Sequence, residues 1–156
     1  MRIGMGFDIH RFEAGRPLML GGVKIPFEKG LLGHSDADVL LHALCDALLG
    51  AVGAGDIGSY FPDTDPQWKG APSTIFIGKA MELVKARGLR IANVDFTVLT
   101  EQPKLFPYRA LIHKSVAKML HVEEIQVNLK ARTMEKLGPI GAGEAMAAYA
   151  VVLLEV

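Results

Sequence analysis

An apolar helix that carries a polar column limits this chain more than any other stretch. After Gly33 the sequence runs His34-Ser35-Asp36-Ala37-Asp38-Val39-Leu40-Leu41-His42-Ala43-Leu44-Cys45-Asp46. Ser35 is a good N-cap, and Asp38 three residues on completes a pair resembling a capping box. Asp36 and Asp38 suit the positive end of the helix dipole. Leu40, Leu41, Leu44, Ala47 and Leu48 form a stripe at helical spacing, so the helix belongs in a core. Yet Asp38, His42 and Asp46 recur every four residues and share one face. Buried polar groups are costly unless partnered. Two explanations compete: a core histidine held by an acid, or a metal ligand with carboxylates behind it. They differ in whether further ligands occur elsewhere.

Residues 2–12 supply them. The alternation of a strand puts Asp8 and His10 on one face and sends Ile3, Met5, Phe7 and Ile9 the other way, toward a core. Alone, that pair reads more readily as surface than as a metal site. With His42 it makes two imidazoles and a carboxylate, a set that suits zinc or another borderline divalent ion. Three protein ligands leave one position open.

The rest of the chain alternates strands and helices. Residues 18–26 form a hairpin around Gly21-Gly22. His34-Ser35 precedes the helix, where free N–H groups either bind an anion or are simply capped. The loop Gly55–Pro66 is dense in Asp, Gly and Pro; Asp56, Asp63 and Asp65 either cap turns, the reading favoured locally, or hold hydroxyl groups or ions. A helix follows from Ser73 to about Arg87, with Ile75, Ile77, Ala80, Met81 and Val84 inward. Then come a strand at Ile91–Thr100, a helix from Pro107 to about Leu120, a strand at Ile125–Ala131, a glycine-rich charged segment and a last strand at Ala145–Val156. This order predicts an α/β (α+β) two-layer domain over residues 1–156, with a mixed four-stranded sheet and helices on one face. Val94, Phe96 and Val98 are left with few helices to meet, so self-association through that face is expected.

Lys plus Arg and Asp plus Glu both number 17, and the zero net charge argues against a nucleic-acid surface. The single Cys45 leaves no internal disulfide and no cysteine-based zinc site. No apolar run approaches the roughly 20 residues of a membrane span, and no signal peptide is visible. A cytoplasmic bacterial protein with no membrane partner is the expectation, with a trimmed plastid form left open.

Taken together, Asp8-Ile9-His10, His34-Ser35-Asp36-Ala37-Asp38, His42, Gly55-Asp56-Ile57-Gly58, Phe61-Pro62-Asp63-Thr64-Asp65-Pro66, Pro103-Lys104-Leu105 and Glu135-Lys136-Leu137-Gly138 resemble the 2-C-methyl-D-erythritol 2,4-cyclodiphosphate synthase family over nearly the whole chain. The resemblance implies a homotrimer whose sheets face the trimer axis, with active sites at subunit interfaces. It implies a metal-dependent phosphorus–oxygen lyase of non-mevalonate isoprenoid biosynthesis. The reaction is intramolecular cyclisation of 4-diphosphocytidyl-2-C-methyl-D-erythritol 2-phosphate to the 2,4-cyclodiphosphate with release of CMP. Zinc would be held by Asp8, His10 and His42. A second ion, magnesium or manganese, would bridge the substrate phosphates from Glu135. His34 and Thr133 match positions assigned to transition-state stabilisation.

By the same resemblance, Asp8, Ile9, His10, His34 and Ser35 would meet the phosphates, and Asp56, Ile57 and Gly58 the sugar hydroxyls. Phe61, Pro62, Asp63, Thr64 and Asp65 would hold the methylerythritol end. Thr100, Glu101, Gln102, Pro103, Lys104, Leu105 and Phe106 would accept cytosine, with Arg132, Thr133, Met134 and Glu135 beside the diphosphate. The chain departs from the family pattern at Arg132, which stands where a threonine is common, and at Pro139 and Ala142, which replace a phenylalanine and an arginine. No role is carried to 139 or 142. Two other functions remain compatible with the residues: a zinc-dependent phosphohydrolase giving linear products, and a non-catalytic isoprenoid-phosphate binder.

Overall fold

Two glycines decide how the layers stack. The computed structural model describes residues 1–156. Its first strand, β1 (Arg2–Ala14), turns Gly4 and Gly6 toward helix α1 (Val39–Ala51). A Cβ on Gly4 would lie 1.9 Å from the Ala47 carbonyl oxygen, and one on Gly6 would lie 1.9 Å from that of Ala43. No side chain fits there. Ala43, Ala47 and Ala51, spaced four apart, give the helix a matching small-residue edge. Backbone therefore meets backbone, and the next two inward positions of β1, Asp8 and His10, arrive beside His42.

The remaining elements follow in order: β2 (Leu18–Leu20), β3 (Val23–Ile25), β4 (Lys29–Leu31), α1, a short α2 (Ile57–Tyr60), α3 (Thr74–Ala86), β5 (Arg90–Leu99), α4 (Arg109–Leu120), β6 (Val127–Arg132), a one-turn α5 (Gly138–Gly141) and β7 (Ala145–Glu155). The main sheet has the order β4-β1-β7-β5-β6, with only β5 and β6 parallel; β2 and β3 form a separate hairpin. The four expected strands are all present. The fifth, β4, is three residues long and pairs with the end of β1, too short to give a periodic signal.

The sheet's inner face is the reverse of the expected one. Val94, Phe96 and Val98 are fully covered by the helical layer. Ile3, Met5, Phe7 and Ile9 point away from it, with Ile3 72% and Met5 65% exposed. Tyr149 and Val151 of β7 stand on the same outer face, Phe7 opposite Tyr149 with their rings 4.8 Å apart. The helix needs the glycine face of β1, so the large side chains of that strand are left outside. The last strand is buried on both faces only as far as Ala148; beyond it, Tyr149 and Val151 leave the outer face open.

Leu40, Leu41, Leu44, Leu48 and Leu49 of α1 are fully buried, each contributing about 1.5–3 kcal/mol over the exposed state. The helix starts at Val39, not at Ser35. Ala37 adopts a left-handed backbone (φ 57°), and Asp38 is the N-cap, its carboxylate accepting from Leu41 N. Two more N–H groups, from Gly21 and Gly22, reach the same carboxylate at 2.9 and 2.7 Å. Asp38 thereby ties the β2–β3 hairpin to the helix. The helix tip that seemed open to an anion is closed by the chain's own carboxylate. No helix is long and apolar enough to cross a membrane.

Candidate metal centre and its cleft

The end of β1 and the first turn of α1 bring Asp8, His10 and His42 to one point. Asp8 Oδ2 lies 2.8 Å from His10 Nε2 and 3.0 Å from His42 Nδ1, and the two nitrogens are 3.2 Å apart. Donors of a tetrahedral zinc ion with bonds of about 2.0–2.1 Å stand roughly 3.3 Å from one another. The three atoms are thus close to three corners of such a tetrahedron, and the set could hold a metal ion.

Each ligand is held from behind. His10 Nδ1 lies 2.8 Å from the Leu32 carbonyl, an acceptor only, so that nitrogen carries the proton and Nε2 faces inward. His42 Nε2 lies 3.0 Å from Ser35 Oγ and 2.9 Å from Ser73 Oγ. Burial pushes the Asp8 carboxyl up, but hydrogen bonds to His10 and His42 outweigh it and hold Asp8 well below the usual carboxylate range. Burial also opposes a charge on His10, but the hydrogen bond with Asp8 prevails and raises it. Asp8 is therefore held as a carboxylate, the one anionic donor of the set, and a carboxylate beside two imidazoles suits a divalent cation.

The carboxylates expected behind His42 do other work. Asp38 caps the helix, and burial pushes its carboxyl up. Asp46 accepts from Ile57 N at 2.8 Å, which anchors α2 to α1; burial raises its carboxyl as well. Ser73 was legible only as a helix cap. Its side chain caps nothing on α3 and instead joins His42 to Asp36.

A cleft of about 500 Å³ opens over the trio. His10, His34, Ser35, His42, Ile57, Gly58, Phe61, Pro62 and Asp63 all line it. His34 Nε2 lies 3.1 Å from the Asp65 carbonyl, which ties the two loops together. Asp56 and Asp65 are caps: Asp56 accepts from the Ser59 hydroxyl at 2.7 Å and from Ser59 N at 2.9 Å, Asp65 from Gln67 N at 3.0 Å, and these bonds lower both carboxyls. Sequence reasoning missed Trp68 and Phe76, which pack about Phe61 with ring centroids 5.0 and 4.4 Å from it and complete the wall. An aromatic residue in an otherwise polar loop was the available signal for Trp68.

The other expected residues do not reach this cleft. Ile9 turns to the outer face. Thr100–Phe106 and Arg132–Glu135 follow β5 and β6 and form a second cluster. Glu101 Oε1 accepts from Met134 N at 2.9 Å and Lys136 N at 3.3 Å, and Thr100 N donates to the Arg132 carbonyl. Glu135 and Lys136 both have left-handed backbones, so the segment turns sharply. Ile9 and Leu99 both pair with Ala147, so the two clusters lie at the same end of the sheet. Two strand spacings, about 10 Å, separate β1 from β5. Met134, with Leu99 and Ile140, packs beside Ala147 on the outer face, whereas Asp8 and His10 face the helices.

A family model described as the YgbB family matches residues 1–155. The chain belongs to the YgbB family. Among relatives, a protein of Synechococcus sp. (strain JA-2-3B'a(2-13)) named 2-C-methyl-D-erythritol 2,4-cyclodiphosphate synthase is 59% identical over 154 residues, covering 99% of this chain and 98% of that one. A solved structure of a 2-C-methyl-D-erythritol 2,4-cyclodiphosphate synthase, in a form bound to CDP, superposes with a TM-score of 0.91 at 45% identity, covering 99% of this chain and all of that one. The bifunctional IspDF of Campylobacter jejuni superposes with a TM-score of 0.94 at 44% identity over 98% of this chain and 42% of that one. In this chain the Asp-His-His trio lies beneath the cleft, and the Thr100 and Thr133 loops follow β5 and β6, one and two strands beyond β7.

Proposed function

We propose that this YgbB-family chain catalyses the cyclisation of 4-diphosphocytidyl-2-C-methyl-D-erythritol 2-phosphate to 2-C-methyl-D-erythritol 2,4-cyclodiphosphate and CMP. The observation that carries the reading is the convergence of Asp8, His10 and His42 in a chain 59% identical to a named cyclodiphosphate synthase. A relative solved with CDP supports a cytidine nucleotide as the part of the substrate that leaves.

The chemical task is to bring one phosphate against the phosphorus of another, both anionic. Asp8, His10 and His42 would hold zinc, which would supply Lewis-acid polarisation of a phosphate oxygen. The protein does the rest. Asp8 and His10 are held by the sheet and His42 by a buried helix, so their geometry is set before substrate arrives. Ser35 and His34 line the cleft above them and meet phosphate oxygens, His34 offsetting the charge that develops. Asp56, Ile57 and Gly58 receive the sugar hydroxyls. Phe61, Pro62, Asp63, Thr64 and Asp65, backed by Trp68 and Phe76, enclose the methylerythritol and keep water from the phosphorus. Attacking and attacked groups belong to one molecule, so orientation within the cleft removes much of the entropic barrier.

The nucleotide end belongs to the second cluster. Thr100–Phe106 accept cytosine, while Arg132, Thr133, Met134 and Glu135 meet the diphosphate, with Thr133 stabilising the transition state. Glu135 would hold a magnesium or manganese ion, which would offset phosphate charge; one carboxylate suits an ion that keeps most of its waters or phosphate ligands. In one chain this cluster stands two strands from the trio and extends to the opposite face of the sheet. A threefold ring of chains packed through the exposed Ile3, Met5, Phe7, Tyr149 and Val151 sets the trio of one subunit against the loops of the next. The enzyme is accordingly a homotrimer of single-domain subunits, a metal-dependent phosphorus–oxygen lyase of the cytoplasm.

Incubation with the diphosphocytidyl substrate, followed by phosphorus NMR, tests the reading. Cyclic diphosphate and CMP should appear in equal amounts, and a chelator should stop both. Linear phosphate products would make the protein a hydrolase.

A further inference from the structure

Nothing in the metal-ligand set explains why His42 should offer Nδ1 rather than Nε2. We propose that Ser73, held by Asp36, is a positioning residue that takes the Nε2–H of His42 and leaves the Nδ1 lone pair facing Asp8 and His10. The inference rests on the proposed metal centre and adds the device that sets its third ligand.

The direction of each hydrogen bond follows from what the partners can do. Asp36 is a carboxylate and accepts only. It takes the Ser73 N–H at Oδ2 (3.1 Å) and the Asp38 N–H at Oδ1 (3.1 Å), and Oδ1 also receives the Ser73 hydroxyl. Ser73 is fully buried, so its one hydroxyl hydrogen has no alternative in solvent. With that hydrogen committed to Asp36, the oxygen toward His42 presents lone pairs alone. His42 Nε2, 2.9 Å away, must then be the donor. An imidazole protonated at Nε2 leaves Nδ1 unprotonated, and Nδ1 is the atom 3.0 Å from Asp8 Oδ2 and 3.2 Å from His10 Nε2.

Ser35 gains a different role by elimination. Its oxygen is 3.0 Å from the same Nε2 and already accepts the Ala37 N–H at 3.2 Å. An Nε2 that carries hydrogen cannot accept from Ser35. The Ser35 hydroxyl hydrogen is therefore free for the cleft that Ser35 lines, where an anionic oxygen takes it. Two serines at nearly equal distance from one nitrogen thus divide the work, Ser73 orienting the ring and Ser35 facing substrate.

Competition with a chelator of known affinity reads zinc binding in the full-length protein. Ser73→Ala should weaken zinc about 10–100-fold, the usual cost of removing a partner behind a metal-bound histidine. Ser73→Thr, which keeps the hydroxyl, should restore it. Asp36→Asn should weaken zinc similarly, because its amide can donate to Ser73 and turn the hydroxyl hydrogen toward His42. Ser35→Ala should keep near-native zinc affinity and raise KM instead. In the zinc-loaded wild type, which needs no variant to fold, the His42 Nε2–H resonance should resist solvent exchange. Rapid exchange there overturns the proposal, as does native zinc affinity in a folded Ser73→Ala or Asp36→Asn variant, or equal zinc loss in Ser35→Ala and Ser73→Ala. A wild-type protein that binds no zinc would instead remove the metal centre itself.

Discussion

The trio at the end of β1 and the loops at the ends of β5 and β6 are built on opposite plans. Asp8, His10 and His42 sit between a strand and a buried helix, with both histidines braced from outside the trio, by the Leu32 carbonyl and by Ser73. The loops that carry Thr100–Phe106 and Thr133–Glu135 are joined to each other through Glu101, yet Lys104, Phe106 and Glu135 themselves are solvent-exposed. The first region is finished within one chain. The second lies open to solvent, and in the trimer proposed above a neighbouring chain would complete its cleft. The difference teaches that a close set of candidate metal ligands can be encoded locally, by glycines and a helix, whereas the proposed nucleotide pocket depends on assembly.

The sharpest way to break this contrast is at the trio. His42→Ala should lose stoichiometric zinc and reduce cyclase activity by about 10³-fold or more, since a Lewis acid at phosphorus supplies several kcal/mol; metal analysis and a CMP-release assay read both. Next comes complementation. Glu135→Gln should be inactive alone, as His42→Ala is, but trimers reassembled from equal amounts of the two should recover about a quarter of native activity. In the proposed trimer each site would draw its trio from one subunit and its loop from the next, and random mixing would make both halves intact with that frequency. No recovery would place both clusters in a single chain's site.

Gly6→Ala should cost about 1–3 kcal/mol in chemical denaturation, because the added methyl drives α1 off the sheet. It should also weaken zinc, since Gly6 and Asp8 share the inward face that sets the distance to His42. Glu101→Gln should have the smallest effect, about 1 kcal/mol, with a modest rise in KM. It replaces a charged acceptor of two backbone N–H groups with a neutral one. If Gly6→Ala were harmless to zinc affinity and Glu101→Gln severe, the assignment of tight and loose regions would be reversed.

Much of the trio was legible because its signals are local. A two-residue period puts Asp8 beside His10, and an apolar helix makes His42 conspicuous. What sequence could not supply was the direction each face looked. Ile3, Met5, Phe7 and Ile9 have the pattern of a core-facing row, and they are one only if another copy covers them. Alternation says that two faces differ, not which meets this chain's own helices; that choice was made by Gly4 and Gly6, which leave room for α1. Helix α1 starts later than capping rules suggest because Asp38 finds three N–H partners, two of them from a hairpin 16 and 17 residues earlier. Ser73 escaped notice for a similar reason: its partners, His42 and Asp36, are 31 and 37 residues away. Motif resemblance supplied the loop residues that neither period nor spacing marks.

X-ray absorption at the zinc edge of the purified wild-type protein tests the central claim most directly. One ion per chain, bound by two imidazole nitrogens and a carboxylate oxygen at about 2.0–2.2 Å with a fourth light-atom ligand, is the predicted result. Zinc that shows fewer than two imidazoles, or a sulfur neighbour from Cys45, would contradict it.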